Sequence, residues 1–243
     1  MNYSFLQCGE GALTVHLGDG IDPAINRRVT ALQGAIGSAG LRGITDLIPA
    51  YADLTVCYDC TVISAKALQR QLRRLLDSLS VAGQDRRRVF RLPVCYGGDY
   101  GPDLDFVCHH SGLSAREVIE LHSQPDYLIY MLGFLPGFAY LGGLDPRLHT
   151  PRLDSPRTCI PAGSVGIGGA QTGVYPLASP GGWQLLGRTP VSVFDRQRQE
   201  PILYRAGDLV HFVPISPAEY EEIVRAVAAG TYTVQVEEVP VCD

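Results

Sequence analysis

The sequence predicts an α+β chain of two domains, an α/β domain followed by a mainly β domain. Two observations carry this prediction. In the first third of the 243 residues, short β-prone runs alternate with two amphipathic helices. Beyond about residue 90, short apolar runs are separated by Gly and Pro, which number 27 and 17 in the chain, and this texture is typical of a β-barrel or β-sandwich. The predicted domains are 1–88 and 89–243.

The first domain is predicted to begin with a strand at 12–17. A helix follows, capped by Asp22 with Pro23 at its first position, where a missing N–H costs nothing. Strands are predicted at 43–48 and 53–58, then a leucine-striped helix capped by Ser64, then a strand at 89–94. This β-α-β-β-α-β order is the ferredoxin-like arrangement. Neither apolar stripe carries a charge, so we assign both to the core and expect no chemistry in this domain.

The second domain is predicted to open with two short helices, at 103–110 and 114–122. Asp103 is interpreted as the cap of the first, and Ser114 with Glu117 forms a capping-box pattern on the second. The clearest strands are predicted at 127–132, 191–194 and 209–213. Near the end, a helix is predicted to begin at Ser216 and to close at Gly230, before a last strand at 231–236.

Composition and charge exclude several classes of protein. The hydrophobic fraction is 46%, the charged fraction 19% and the net charge −5, which excludes intrinsic disorder and the basic coating of a nucleic-acid binder. We expect no signal peptide and no membrane-spanning helix, because no apolar run of 18 residues occurs. Seven cysteines in a chain of this length favour a reducing cytoplasm. The three arginines at 86–88 are interpreted as a solvated segment between the domains.

Named catalytic motifs are absent or incomplete. The single lysine, Lys66, lies on the leucine-striped helix, so no Walker-type P-loop exists. Ser164 follows Ala162-Gly163 as in a nucleophile elbow, but no helical pattern follows it, which disfavours a covalent nucleophile. No histidine cluster has metal-ligand spacing, and the Cys57–Cys60 pair stands alone, so we expect no metal site.

Three loops rich in glycine and proline carry the unusual chemistry, at 133–138, 160–169 and 179–183. Unshielded N–H groups of successive glycines form concavities that attract anions. One interpretation is therefore an anion-accepting pocket with an aromatic wall. The other is that these are tight turns of a barrel with solvated arginines. Composition leaves both open.

The same stretch carries a family resemblance. The motifs are Gly133-Phe134-x-Pro136-Gly137-Phe138, Pro161-Ala162-Gly163-Ser164-Val165-Gly166-Ile167, Gln171-Thr172-Gly173-x-Tyr175-Pro176 and Ser179-Pro180-Gly181-Gly182-Trp183-Gln184, then Gly187-Arg188-Thr189-Pro190. Together they resemble the B-subunit family of the bacterial 5-oxoprolinases, which is also labelled allophanate hydrolase subunit 1 or Kip inhibitor of a sporulation histidine kinase. The resemblance covers nearly the whole chain.

The resemblance implies a ferredoxin-like N-terminal domain and a cyclophilin-like β-barrel. It implies a cytoplasmic hydrolase complex in which this chain, inactive alone, works with two other 5-oxoprolinase proteins, a carboxyltransferase-like C subunit, and an A subunit. The complex would hydrolyse 5-oxo-L-proline to L-glutamate with ATP, although this chain has no nucleotide motif. The alternatives are a protein that inhibits a sensor histidine kinase by binding it, and an allophanate hydrolase subunit.

Site residues are predicted from the loops and the resemblance together. Arg188 or Arg157 is expected to pair with a carboxylate or phosphate, while Gln171 and Ser164 orient the lactam. We therefore predict Arg188, Gln171 and Ser164 as catalytic residues. The predicted substrate contacts are Phe134, Pro136, Gly137, Phe138, Arg157, Pro161, Gly163, Thr172, Pro180, Gly181, Gly182 and Trp183.

Overall fold

A computed structural model describes residues 3–79 and 86–240. The chain divides into two compact units, 1–85 and 86–243. The predicted fold class is confirmed: the chain is α+β, with a ferredoxin-like unit followed by a closed, cyclophilin-like β-barrel. No described helix is long and apolar enough to cross a membrane.

The N-terminal unit is a four-stranded antiparallel sheet with two helices. The strands are β1 (Ser4–Cys8), β2 (Ala12–His16), β3 (Ile44–Pro49) and β4 (Asp53–Tyr58), and the helices are α1 (Pro23–Ala39) and α2 (Ala65–Asp77). Both predicted caps are confirmed, since the Asp22 carboxylate accepts the Ala24 N–H at 2.6 Å and Ser64 accepts the Ala67 N–H at 3.3 Å. The leucine stripe of α2 and the apolar face of α1 pack into one core with β2 and β4.

The edge strand of this sheet corrects the sequence-based prediction. The sheet order is β1-β2-β4-β3, so the strand beside β2 is the N-terminal segment Ser4–Cys8 and not 89–94. The order matches the split βαβ arrangement with its last strand moved to the front. Strand β1 escaped prediction because it is short and largely exposed, which leaves little hydrophobic alternation to detect.

The C-terminal unit is built around a barrel of seven strands. Its strands are β5 (Arg86–Tyr96), β6 (Asp126–Leu132), β7 (Ala139–Gly142), β8 (Arg157–Ile160), β9 (Ser164–Gly168), β10 (Gln171–Val174), β11 (Ser179–Gly181), β12 (Gln184–Arg188), β13 (Leu209–Ile215) and β14 (Gln235–Pro240). The order β12-β9-β10-β7-β6-β13-β5 closes where β12 pairs with β5. Strand β14 adds to the outside of β5, and β8 pairs with β11 as a separate ribbon.

Three helices and one short 3₁₀ helix accompany the barrel. They are α3 (Leu104–Ser111), α4 (Ala115–Ser123) and α5 (Pro217–Ala228), with the 3₁₀ turn at Pro146–Leu148. The capping box of Ser114 and Glu117 on α4 is confirmed. The predicted strand at 191–194 is wrong, since the segment forms only an isolated bridge at Phe194. The last strand begins at Gln235, four residues later than predicted.

The arginine run 86–88 is the start of β5, which corrects its interpretation as a solvated segment. Arg88 donates two hydrogen bonds to the Asp208 carboxylate, at 3.0 and 2.6 Å, and Asp208 is buried. Arg86 lies 3.3 Å from a carboxylate oxygen of Glu238 on β14. These ion pairs join the beginning of the barrel to segments more than a hundred residues later.

A buried polar network centred on His122 connects α4 to the barrel strands. The Thr172 hydroxyl donates to the Gly166 carbonyl at 3.0 Å, so it accepts from Nε2–H of His122 at 2.7 Å. The other ring nitrogen, Nδ1, then accepts from the Tyr96 hydroxyl at 2.8 Å. The imidazole also stacks on Phe212, with ring centres 4.9 Å apart. Burial lowers the pKa of His122 to about 3, so the ring is neutral in this network.

Candidate functional site

An aromatic cleft of about 130 Å³ lies where two of the three glycine-rich loops meet. We call it the aromatic cleft throughout. Its lining residues are Phe134, Phe138, Tyr140, Arg152, Tyr175, Pro180, Gly181, Gly182 and Trp183. Three loops contribute: the turn between β6 and β7, the segment before β8, and the turn between β11 and β12.

Phe138 is the centre of the aromatic wall. Its ring makes edge-to-face contacts with Phe134, Tyr140, Tyr175 and Trp183, with centroid distances of 5.2 to 5.6 Å. Edge-to-face pairs are the arrangement that aromatic quadrupoles favour. Phe138 is 3% exposed and Phe134 is 66% exposed, so the wall runs from the protein interior to its surface.

Glycine at 168 makes room for the indole that forms the floor of the cleft. A Cβ on Gly168 would overlap Nε1 of Trp183, and one on Gly173 would lie 3.2 Å from the indole ring. The glycines of β9 and β10 therefore admit a large ring against the barrel wall. The interpretation of the glycines as turn formers alone does not account for these two positions.

Phe134 adopts a strained backbone conformation at the rim. Its φ of 64° is the sole positive value for a non-glycine residue in the described ranges 3–79 and 86–240. The loop is closed by Gly133 N–H donating to the Phe138 carbonyl at 3.1 Å. Left-handed backbone at a bulky residue costs about 1–3 kcal/mol and concentrates at functional sites.

Arg152 is the cation of the aromatic cleft. Its guanidinium carbon lies 5.9 Å from the Trp183 ring centre, within cation–π range. Among the residues that the structure describes, no carboxylate lies within 4.0 Å of it. It therefore presents its positive charge beside the aromatic wall. Sequence reasoning missed Arg152, which follows Pro151 in an unpatterned loop, and it also missed Tyr140.

Arg157 supports the cleft from behind. Nη2 donates to Asp103 Oδ1 at 2.7 Å, and Nη1 donates to the Trp183 carbonyl at 3.4 Å. The other Asp103 oxygen accepts the Leu185 N–H at 2.7 Å. Asp103 makes no side-chain cap on α3, so its interpretation as a helix cap is wrong. Since its guanidinium is held by Asp103, the expected pairing of Arg157 with substrate stays a prediction.

A second cleft, of about 180 Å³, lies near Arg188. Its lining residues are Ala162, Gly163, Pro176, Thr189, Pro190, Val191, Ser192, Val193 and Tyr220. Arg188 makes a side-chain hydrogen bond to the Tyr220 hydroxyl, while its Nε is buried without a partner. Burial raises the pKa of Tyr220, and the Arg188 charge opposes that rise.

The three predicted catalytic residues do not converge. Ser164 lies opposite Arg188 in the β9–β12 register, and its side chain is buried. Gln171 instead pairs with Gly168, four residues along β9, which places it about 13 Å from Ser164. A shared contact of all three with one small lactam is not supported by this geometry. Catalytic roles for Ser164 and Arg188 stay predictions.

The predicted substrate contacts divide among several places. The aromatic cleft receives Phe134, Phe138, Pro180, Gly181, Gly182 and Trp183, and the second cleft receives Gly163. Pro136 is exposed in the loop of Phe134, where Gly137 is buried, and Pro161 is exposed in the turn before Gly163. The Thr172 hydroxyl is fully buried on His122 and lines neither cleft.

Two further observations complete the search for a site. A larger depression of about 410 Å³ lies against α4, but its carboxylates are engaged, Glu117 in the capping box and Glu120 with Arg116. Within 3–79 and 86–240, no group of three or more His, Cys, Asp or Glu side chains could hold a metal ion.

Comparison with known proteins gives a consistent result. Residues 3–204 match the family model for the carboxyltransferase domain, subdomain C and D. The chain is 42% identical over 230 residues to the 5-oxoprolinase B subunit of Bacillus subtilis (strain 168), covering 90% of this chain and 96% of that protein. It is 46% identical over 207 residues to the 5-oxoprolinase B subunit of Escherichia coli O157:H7, covering 85% and 93%.

Among solved structures, the chain is similar to the urea carboxylase of Kluyveromyces lactis. The TM-score is 0.81 at 23% identity, over 98% of this chain. The chain spans 24% of that longer protein. At this identity the likeness concerns the fold alone.

Proposed function

The chain belongs to the B-subunit family of the 5-oxoprolinases, and from this membership we propose that it is part of an ATP-dependent complex that hydrolyses 5-oxo-L-proline to L-glutamate. The observation that carries the proposal is the 42% identity over 90% of this chain and 96% of the Bacillus subtilis protein. A match that runs nearly end to end means that the two proteins have the same domain content. The aromatic cleft adds support, because its volume suits a small ring.

The chemistry of the substrate explains the need for ATP. A lactam carbonyl is a poor electrophile because amide resonance stabilises it. Transfer of the γ-phosphoryl group of ATP to the carbonyl oxygen releases ADP and makes the ring carbon electrophilic. Water then adds to that carbon, the C–N bond breaks, and the nitrogen leaves as the amine of glutamate. A second water carries the phosphoryl group to inorganic phosphate. Developing negative charge on the oxygens requires preorganised donors.

The remaining activities are assigned to partner proteins. We assign ATP binding to one of the partners because this chain has no P-loop, its single lysine lying on α2. The partners are a carboxyltransferase-like C subunit, with which an A subunit completes the complex, and this chain alone is inactive. The complex is placed in the cytoplasm, in keeping with six described cysteines that form no disulfide.

Reconstitution tests the proposal. The chain is purified alone, with the C subunit, with the A subunit, or with both, and each mixture is assayed for ATP-dependent release of glutamate from 5-oxo-L-proline. We expect turnover only in the three-way mixture. Turnover that persists when this chain is omitted, or turnover of allophanate in place of 5-oxo-L-proline, contradicts the proposal. Stoichiometric inhibition of a sensor kinase without turnover would favour a regulator instead.

A further inference from the structure

The aromatic cleft has the size and composition of a subsite for one small ring. Ring faces and edges from Phe138, Tyr175 and Trp183 form its walls, and Gly181 and Gly182 form its rim. Its volume of about 130 Å³ is well below the 300–1,000 Å³ of pockets for drug-sized ligands. A nucleotide is therefore too large, whereas a five-membered ring with one substituent is of suitable size.

Arg152 differs from the other arginines near the cleft in having no acidic partner. Arg157 is paired with Asp103 at 2.7 Å, and Arg147 with Asp145 at 2.7 Å. The Arg152 guanidinium lies over Trp183 and within the cleft lining. An arginine stacked on an aromatic face keeps its N–H donors directed outward in its own plane, where they can bind a carboxylate through two parallel hydrogen bonds.

We infer that the aromatic cleft binds the planar ring of a small monocarboxylate and that Arg152 binds its carboxylate. The identity of that ring as 5-oxo-L-proline rests on the proposed function. Ring and carboxylate are adjacent in 5-oxo-L-proline, as the aromatic wall and Arg152 are adjacent in the cleft. Arg152 is in this assignment a specificity-determining residue that holds the substrate while other groups act on the lactam.

Trp183 provides a local probe of this inference because it is the single tryptophan of the chain. Its fluorescence is followed while the full chain is titrated with 5-oxo-L-proline and, separately, with 2-pyrrolidinone, which is the same ring without a carboxylate. A hydrogen-bonded charge contributes a factor of about ten to one hundred in affinity. We expect 5-oxo-L-proline to bind tighter than 2-pyrrolidinone by that factor.

Variants at position 152 separate the carboxylate contact from the ring contact. Arg152→Ala is expected to bring the two ligands to within about twofold of each other, and Arg152→Lys to retain part of the difference because the charge remains but the planar fork is lost. Arg205→Ala, an exposed arginine outside the cleft, is the matched control and is expected to behave as the wild-type chain. In the reconstituted complex, Arg152→Ala is expected to raise KM at least tenfold with kcat within about twofold.

The two assays distinguish failure of this inference from failure of the proposed function. If the complex turns over 5-oxo-L-proline and Arg152→Ala changes neither KM nor the titration, the inference is overturned and the function stands. A KM rise without any Trp183 response would also overturn it, because the contact would then lie elsewhere. If the complex does not turn over 5-oxo-L-proline, the proposed function fails. The subsite is then judged by titration with pyrrole-2-carboxylate, whose effect on Trp183 must depend on Arg152.

Discussion

His122 is a buried base whose neighbours leave no room for a second proton. Its Nδ1 accepts from Tyr96, and its Nε2–H donates to Thr172, whose own proton goes to Gly166. In the unfolded chain the ring titrates near 6.5, whereas burial lowers the pKa in the folded protein to about 3. Below pH 6.5 the unfolded state therefore binds a proton that the folded state does not.

This difference predicts acid sensitivity. Stability is fully present above pH 6.5 and is lost at about 1.4 kcal/mol per pH unit as the pH falls from 6.5 towards 3. Between pH 7 and pH 5, His122 contributes a loss of about 2 kcal/mol. Urea unfolding of the wild-type chain and of His122→Phe at both pH values measures it. The variant is less stable at pH 7, because Tyr96 and Thr172 lose a partner, and its deficit is expected to shrink by about 2 kcal/mol at pH 5. An unchanged deficit would refute this account of the ring.

Arg188 is the second residue for which an activity test is decisive. Its buried Nε has no partner, and it lies opposite Ser164 across two strands. If its guanidinium stabilises negative charge that develops during the reaction, Arg188→Ala in the reconstituted complex is expected to lower kcat about 100-fold. Arg205→Ala again serves as the control. Wild-type turnover by Arg188→Ala would remove Arg188 from the catalytic residues.

Residue-level prediction from sequence succeeded for aromatics and failed for charges. Phe134, Phe138 and Trp183 were predicted because they sit within glycine-rich motifs, and they line one cleft. Asp103 was misassigned because its partner Arg157 is 54 residues away, so that no local pattern shows the pair. The role of Arg152 depends equally on a distant ring, which sequence spacing does not reveal.

At the scale of single elements, helix α1 carries glycines that its geometry does not require. Gly34 is exposed, and a Cβ there would meet nothing within 4 Å. Alanine is a better helix former than glycine by about 1 kcal/mol. Gly34→Ala is therefore expected to raise the free energy of unfolding of the N-terminal unit by about 0.5–1 kcal/mol, measured by circular dichroism in urea.

The control for that substitution is Gly43→Ala. Gly43 has a φ of 87°, and a Cβ would lie 2.9 Å from Cγ2 of Ile63, so this variant is expected to be destabilised. Stabilisation of both variants, or of neither, would contradict the reasoning from local geometry.

Elements with strong periodicity or caps were predictable, and elements defined by pairing were not. The helices begin at their predicted caps Asp22, Ser64, Ser114 and Ser216 because capping is a local interaction. The apolar segment 191–194 resembles a strand, but Pro190 and a side-chain bond from Thr189 to Val191 hold it in a turn. Strand β5 was placed in the wrong sheet because only its partners decide where a strand belongs.

For the whole molecule, we predict that the unit beginning at residue 86 folds by itself. It has its own core and a barrel closed by pairing of β12 with β5. A fragment 86–243 is expected to unfold cooperatively in urea, as reported by Trp183 fluorescence. An aggregated fragment, or one without a cooperative transition, would contradict this prediction.

A second fragment tests the boundary predicted from sequence. Fragment 89–243 lacks Arg88 and leaves the buried Asp208 carboxylate without its ion pair. Loss of one partner from a buried pair costs about 3 kcal/mol, so fragment 89–243 is expected to be less stable by roughly that amount. Equal stability of the two fragments would show that the Arg88 pair is dispensable.

The position of β5 in the barrel has a consequence for synthesis of the chain. Its three partners are β12, β13 and β14, and the first of these begins at Gln184, 88 residues after β5 ends at Tyr96. At about 5–20 residues per second, a ribosome takes roughly 4–18 s to supply that segment. During that interval the apolar strand has no partner strand to pair with, while every strand and helix of the N-terminal unit has already been made. The nascent barrel is therefore the stage at which a cell would need a chaperone for this protein.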